Sequence, residues 1–494
     1  MKKMVSCLLA LIMLLSCFSM SAYANEAVPE YITVDSIDAI NFSPEILLEV
    51  PNTEKDEFDT NKFLGNIETP DTPYLFYNQL TDTQKIIYDA FINAGVAASI
   101  KLPFDYPTNP IVGSGASNDE ALANAKAVLS NDIAAALSAA CEDNPMYYWV
   151  KGFAYGFGYY KGSSGSVYYV YVCNITLTIN IDTNSYTDFA DVQAKYDALL
   201  EAVENFEVNG INRYEKLKSI NDKLCDMVTY PKQQGSFGDG TPWYGPMVHQ
   251  PTGALLNGSA VCEGYAEALK LICDRERIPC ITAVGTGNGR AHKWNYVKMD
   301  DGLWYMIDTT WNDQVTNKYY DWFLIGSDFD SGDHVNLGKL YGNVDFTLNY
   351  PKLSTDNYSM AVLARNAPDI SFVNTNNVIY VGKGVTNYLS FINLPSNISS
   401  SVSGSSVTGA RLTLRNSNTS VTRIYTVAMR GDVNASNTVT SADTDILRQA
   451  ANANYKLQSG TANYYAADMN GDGAVDAYDA IAHDLYVNDM LKYN

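Results

Sequence analysis

Basic residues are scarce in this 494-residue chain: 33 Lys and Arg stand against 55 Asp and Glu, a net charge of −22. With no cationic excess to displace counterions from a polyanion, nucleic-acid binding is excluded as its main work. Charged residues reach only 18% against 46% hydrophobic ones, a globular balance that excludes wholesale disorder. A membrane-length apolar run is also missing. The stretch from Val5 to Phe18 falls short of the ~20 residues a bilayer span needs. It follows Lys2 and Lys3 and leads to Ala22-Tyr23-Ala24, the pattern of a secretory signal peptide cut after Ala24. Cysteine is sparse for a secreted chain. Cys7 and Cys17 leave with the signal; Cys141, Cys173, Cys225, Cys262, Cys273 and Cys280 remain, which is too few for a disulfide scaffold. If one of them stays free for chemistry, five are left and at least one of those is unpaired too.

From Asn25 to Leu80 the chain is rich in Pro, Asp, Asn and Thr and reads as an extended leader. Thr81 and Gln84 form a capping pair ahead of a helix, and the Ala- and Leu-rich run from Asp119 to Ala140 predicts another. Met146 to Ile181 crowds aromatic and β-branched residues around a Lys161–Gly165 turn, which predicts a hairpin or strand pair. Its aromatics offer either a platform for sugars or peptides or, as the more ordinary alternative, a sheet face covered by a helix. Helices are expected from about Asp188 to Glu204 and from Arg213 to Asp226. Short β-type runs with Ser and Asn between them fill Ser354 to Tyr425, a small β module or a stiff linker.

The chemistry concentrates between Asn257 and Asp313. Asn257-Gly258-Ser259 is turn and capping material, and Tyr265, Ala266, Leu269, Ile272 and Cys273 recur at helical spacing. Cys262 therefore falls in the first helical turn, where unsatisfied N–H groups and the positive dipole end favour a thiolate. Cys273 and Cys280 fall on an apolar face and a strand, where packing is the default. His292 to Val297 and Leu303 to Asp308 read as two strands around an Asp300-Asp301-Gly302 turn, so His292 and Asp308 lie within about one diagonal pair of each other. Cys, His and Asp make a nucleophile, a base and an orienting acid for attack on a carboxamide. On spacing alone, a buried Cys, a satisfied His and a turn Asp with no joint role is an equal reading.

Ala260-Val261-Cys262-Glu263-Gly264-Tyr265-Ala266, His292-Lys293-Trp294-Asn295 and Trp304 to Asp313 closely resemble the bacterial transglutaminase-like domain, which looks papain-like in its core. The resemblance covers about a quarter of the chain, from Lys223 to Ser327. It implies Cys262 as nucleophile, His292 as base and Asp308 as orienting acid. The family's Ala after the His is Lys293 here, and its Pro after the Asp is Thr309, two changes expected at the rim of the site. The oxyanion hole is expected to use the Cys262 N–H plus a donor from Trp243, His249 or Gln250. Trp294 and Trp311 are expected to pack the hairpin, and His334, in a polar loop, to be solvated. The same thioester serves hydrolysis by a cysteine peptidase or amidase, or capture by an amine in crosslinking.

Asp468-Met469-Asn470-Gly471-Asp472-Gly473-Ala474-Val475-Asp476-Ala477-Tyr478-Asp479 spaces oxygen ligands as a calcium loop. Asp468, Asn470, Asp472, Asp476 and Asp479 supply side chains, and Ala474 its carbonyl. An earlier copy offers Asp432, Asn434, Ser436, Thr438, Thr440 and Asp443, with Ser436 a weaker ligand and Asn437 in place of the glycine. The duplicated loop-plus-helix resembles a dockerin, the module that plugs secreted bacterial enzymes into cohesin domains of a cellulosome scaffold. That resemblance implies two calcium ions and partner-reading pairs at Ser441 and Ala442 and at Ala477 and Tyr478. The separation from Asp432 to Asp468 is long for the family. His483 is expected to be an exposed helix residue.

The expected fold class is thus α+β: signal peptide 1–24, N-terminal leader and α/β region 25–205, papain/transglutaminase-like catalytic core 206–353, β-rich linker module 354–425 and α-helical dockerin 426–494. The expected function is a secreted, cellulosome-associated cysteine peptidase or amidase with a peptide or protein substrate. The alternatives are a protein-crosslinking transamidase and a non-catalytic peptide-binding or protective module. A glycosidase lacks a recognisable carboxylate pair.

Overall fold

The computed structural model describes residues 30–37, 74–236, 242–314, 320–330, 333–336, 348–363, 369–417 and 420–493. The expected signal peptide and most of the leader lie outside these residues. No helix among them is long and apolar enough to cross a membrane.

The first unit is a sheet backed by helices. Strand β1 (Glu30–Ile37) lies in the stretch read as an extended leader and pairs antiparallel with residues 153–159. Helix α1 (Asp82–Ala94) starts at a capping box in which Thr81 and Gln84 satisfy each other's backbone N–H, worth about 1 kcal/mol. Strands β2 (Ser99–Lys101) and β3 (Ile111–Gly115) precede helix α2 (Asn118–Asp143). Ala121, Ala125, Leu129, Ile133 and Leu137 recur every four residues and face the sheet. Strands β4 (Val150–Ser164) and β5 (Val167–Ile181) form the hairpin expected from the aromatic run. Phe153, Tyr155, Phe157 and Tyr159 point inward under α2, with the Tyr155 hydroxyl on Ser130 at 2.5 Å. That face is covered core rather than an open platform.

Helix α3 (Phe189–Glu204) and helix α4 (Arg213–Met227) lead to α5 (Pro251–Asn257) and α6 (Cys262–Arg275). A second sheet follows, built from β6 (Cys280–Gly287), β7 (Arg290–Lys298), β8 (Trp304–Ile307), β9 (Phe323–Ile325) and β10 (His334–Asn336), with α7 (Thr309–Gln314) between β8 and β9. Its strand order is β9-β8-β7-β6-β10, antiparallel throughout. Ile281, Ala283, Trp294, Tyr296 and Met306 share one apolar core with Phe76, Leu137 and Phe153. Residues 74–205 are therefore one wall of the same body that carries Cys262.

A third sheet joins β11 (Ile370–Val373), β12 (Val378–Val381), β13 (Ile398–Ser403), β14 (Arg411–Asn416) and β15 (Thr422–Met429) in the order β11-β12-β15-β14-β13. The segment read as a small β module or a stiff linker forms this sheet, and its Leu412, Leu414, Tyr425 and Val427 pack into a core with Tyr214, Leu217 and Tyr358. Helices α8 (Ser441–Ala451), α9 (Ala462–Ala467) and α10 (Ala477–Val487) close the chain. No spacer separates them from β15. Arg430 follows β15 directly, is fully buried, and pairs with Glu215 of α4 while lying over Tyr380 and Tyr493, 4.6 and 4.4 Å from their ring centres.

His483 is a correction. It is fully buried, with Nδ1 2.8 Å from the Thr444 hydroxyl and Nε2 2.8 Å from the Gly431 carbonyl. The duplicated helices α8 and α10 pack against each other, so His483 lies on the inner face and staples the two copies.

Candidate active site

Cys262 is the first residue of α6. The residue before it, Val261, has extended backbone but no side-chain oxygen to cap the helix. The first-turn N–H groups of α6 therefore lack a side-chain cap, at the end where the helix dipole favours negative charge. Gly264 sits where a Cβ would come within 2.8 Å of the Gln250 carbonyl and 2.9 Å of the Val248 carbonyl. Glycine thus lets the 248–250 segment run close beside the start of α6. Cys262 is 8% exposed.

His292 and Asp308 come together through sheet register. On β7 and β8, Asn295 faces Ile307, so Asp308 sits one residue past the ladder, diagonal to His292. His292 Nε2 stands 2.6 Å from Asp308 Oδ2. Asp308 Oδ1 meanwhile accepts the Trp311 backbone N–H at 3.0 Å and so caps α7. Gly287 lies where a Cβ would approach His292 Cδ2 and Trp311 Cζ2 to 2.9 Å, so only glycine leaves the imidazole its place. Trp311, on α7, and Trp294, on the hairpin strand β7, stack on the His292 ring at 5.1 and 5.8 Å.

Burial alone would push the His292 imidazolium towards its neutral form. Asp308, and beyond it a hydrogen bond and charge interaction with Cys262, overcome that, and the His292 pKa is raised to about 10. Asp308 is likewise opposed by burial, yet the two imidazoles around it hold its carboxyl well below the usual range. Both shifts stabilise the fold in a definable window. The His292 contribution is complete below the ordinary 6.5 and is lost as pH rises towards about 10. The Asp308 contribution is present above the ordinary 3.8 and is lost as pH falls. The melting-temperature gap between the native protein and His292→Gln is therefore expected to be widest between those two ordinary values and to close above about 10. A gap that is flat from pH 5 to 10.5 would contradict the pair.

His334 was expected in solvent. Instead β10 pairs with the edge of β6, His334 opposite Gly287, and buries the ring. Its Nε2 stands 3.0 Å from Asp308 Oδ2, the oxygen that also meets His292. His292, Asp308 and His334 thus offer three potential metal-ligand atoms within 4.8 Å. Ligand atoms held 2.0–2.1 Å from a tetrahedral zinc would stand about 3.3 Å apart. The 2.6 Å and 3.0 Å contacts through Asp308 Oδ2 are closer than that and suit proton sharing.

Lys293 and Thr309 are also corrections: neither is at a rim. Side chains alternate along β7, so Lys293 points opposite to His292 and into the core. Its ammonium lies 3.1 Å from Glu142 of α2, 3.0 Å from Glu267 and 3.9 Å from Glu263. Burial, only partly offset by Lys293, pushes Glu267 up to about 8. Thr309 is buried, and its carbonyl accepts from the Cys225 thiol. Of the oxyanion candidates, His249 Nδ1 faces Glu263 at 3.3 Å. Gln250 Oε1 accepts the hydroxyls of Tyr186 and Thr252. Trp243's side chain lies outside the described residues. All six cysteines after the expected signal are free thiols.

The two acidic loops repeat one geometry. Asp468 accepts the N–H groups of Gly471 and Gly473 at 2.8 and 3.0 Å, and Asp479 those of Met469 and Asp476 at 2.7 and 2.8 Å. Asp432 accepts those of Ser436 and Asn437 at 2.8 and 3.0 Å, and Asp443 those of Asn434 and Thr440, both at 3.0 Å. Asn437 adopts φ 63°, matching φ 82° at Gly473, because asparagine tolerates the left-handed turn. Asn470, Asp472, Asp476 and Ala474 complete the later loop, and Ser436 Oγ lies 2.9 Å from Thr438 Oγ1 in the earlier one. Burial and the neighbouring Asp479 push Asp468 up to about 6. Oxygens crowded in this way fit a divalent cation. Ser441, Ala442, Ala477 and Tyr478 are all exposed.

Comparison with known proteins agrees with both motifs. Residues 202–309 match the transglutaminase-like superfamily, and residues 430–486 match the dockerin type I domain. No curated protein matches the chain. Among solved structures it is similar to the crystal structure of a TGase, at 15% identity over 32% of this chain and 45% of that one, with a TM-score of 0.21. It is also similar to the periplasmic domain of TgpA from Pseudomonas aeruginosa, at 12% identity over 33% and 73%, with a TM-score of 0.14. The chain spans less than half the length of the first of these.

Proposed function

We propose that this chain is a secreted cysteine peptidase or amidase, working through Cys262, His292 and Asp308 and held by its dockerin on a cohesin scaffold. The observation that carries this reading is the 2.6 Å His292–Asp308 bond beside a cysteine at an uncapped helix start. The Cys262 thiolate attacks the carbonyl carbon of an amide and opens its C=O π bond to an oxyanion. The Cys262 N–H and the Gln250 amide N–H are the proposed donors to that oxygen. Gln250 suits the role because its Oε1 is already engaged, which aims the amide by fixing one end. His292 gives its proton to the leaving amine, the C–N bond breaks, and a thioester remains. Water, deprotonated by His292, then releases the acid and frees the thiolate. Asp308 holds the imidazole in place throughout. Incubation with a peptide library, with and without an added primary amine, tests this by mass spectrometry. New termini or a mass gain of one water in place of ammonia support hydrolysis; amine adducts alone would replace it with crosslinking. No Cys262-dependent product from any substrate would sink the reading.

In the dockerin, Asp432, Asn434, Ser436, Thr438, Thr440 and Asp443 would hold one calcium ion and Asp468, Asn470, Asp472, Ala474, Asp476 and Asp479 the other. Hard oxygen ligands would draw each loop together and fix the helix that follows it. Calorimetric titration is expected to resolve a tighter and a weaker site, the tighter one lost in Asp472→Ala. Loss of the weaker one instead would invert the assignment. Tyr478, 72% exposed, and Ile481, 60% exposed, stand three residues apart on α10 with Leu485 beyond them. This apolar stripe supports the Ala477–Tyr478 copy as the partner-reading surface over Ser441–Ala442.

A further inference from the structure

We infer that His334 and Asp330 are positioning residues for the proposed catalytic site, a second imidazole and a second carboxylate that hold Asp308 from behind. The inference rests on the triad reading. Asp308 Oδ2 is shared: His292 Nε2 meets it at 2.6 Å and His334 Nε2 at 3.0 Å. The other nitrogen of His334, Nδ1, stands 2.8 Å from Asp330 Oδ1, and the same oxygen accepts the His334 backbone N–H at 3.1 Å. Both ring nitrogens therefore face carboxylate oxygens, which accept and cannot donate while ionised. His334 satisfies both by donating from each nitrogen.

The ring has little freedom to do anything else. Trp311, Trp294 and Trp322 surround it at 4.3, 4.8 and 5.0 Å between ring centres. Its side chain is 1% exposed, so solvent does not replace the donor. With Trp311 N–H on Oδ1, Asp308 has three donors, an arrangement that keeps a buried carboxylate ionised and fixed. The charged and titratable groups facing His334 are His292, Asp308 and Asp330. Removing His334 would free Oδ2 to rotate and would take a donor from the carboxylate that steadies the His292 imidazolium.

The test is the iodoacetamide reactivity of Cys262 against pH in His334→Leu, His334→Gln and Asp330→Asn, with thermal unfolding of each as a control. Glutamine keeps an amide N–H near the position of Nε2; leucine does not. His334→Leu is expected to lower the rate at pH 6 about tenfold, the size of one lost hydrogen bond to a charged group. His334→Gln is expected to recover to within about threefold of native. A native profile in His334→Leu overturns the inference, as does His334→Gln falling as far as leucine, which would leave packing alone. Should the leucine variant not fold, Asp330→Asn carries the test: it must slow labelling, and a native rate there overturns the inference too. If the native Cys262 itself reacts as an ordinary thiol, the triad fails and this inference with it. An activated native Cys262 with an unaffected His334→Leu removes this inference only.

Discussion

Cys262→Ala is expected to remove turnover by a factor on the order of 10⁶, leaving only what binding and the oxyanion donors supply. His292→Ala should cost about as much, because the thiolate and the imidazolium form one unit. The double variant should then be no worse than either single one, since each change already destroys the same ion pair. Steady-state rates on any amide substrate check this. Additive losses, with the double variant falling by the product of the singles, would mean the two residues act separately. Retained function in Cys262→Ala would identify a binding module that carries the fold without its chemistry.

Lys293→Met should produce the largest loss of stability. Lys293 is 3% exposed, and its three carboxylates, Glu142, Glu263 and Glu267, are nearly as deeply buried. Removing the cation leaves a buried carboxylate cluster without its counter-charge, at a cost of about 3–5 kcal/mol. For a cooperative unit of this size that is a fall in melting temperature on the order of 10 °C. Adding Glu142→Gln should return part of it by lowering the negative charge. Glu142 ends α2, so this cluster ties the N-terminal wall to the strand that carries His292. Deletion of residues before Arg213 is accordingly expected to unfold the body rather than to unblock it. A loss under about 1 kcal/mol in Lys293→Met would show that solvent reaches the cluster.

What the sequence made legible was local. The helix that starts at Cys262 follows from turn residues and a 3.6-residue apolar period, and the His292–Asp308 diagonal follows from a hairpin turn. The two acidic loops follow from oxygen-bearing residues at fixed intervals, with asparagine as a readable substitute for glycine in the left-handed turn. What escaped depended on contacts far apart in the chain. His334 reaches Asp308 only because a three-residue edge strand adds to β6, and so short a strand has no period to detect. Lys293 meets Glu142 across 151 positions. Strand alternation alone put Lys293 on the opposite face from His292, a signal available in the sequence. Its partners were not, because nothing local pairs α2 with β7. His483 was misjudged for the same reason: which face of α10 is covered depends on how the two loop-helix copies fold onto each other.

The central claim is that Cys262 is ionised by His292, and the most direct measurement is the iodoacetamide labelling rate of each cysteine from pH 4 to 9 by peptide mass spectrometry. An ordinary thiol labels with a midpoint near its free pKa of about 8.5. With the His292 imidazolium beside it, Cys262 should label fast well below that midpoint and hold a plateau to pH 9, while the buried Cys273 and Cys280 stay slow. His292→Ala should return Cys262 to the ordinary curve. A native Cys262 that follows the ordinary curve, unchanged by His292→Ala, would contradict the account.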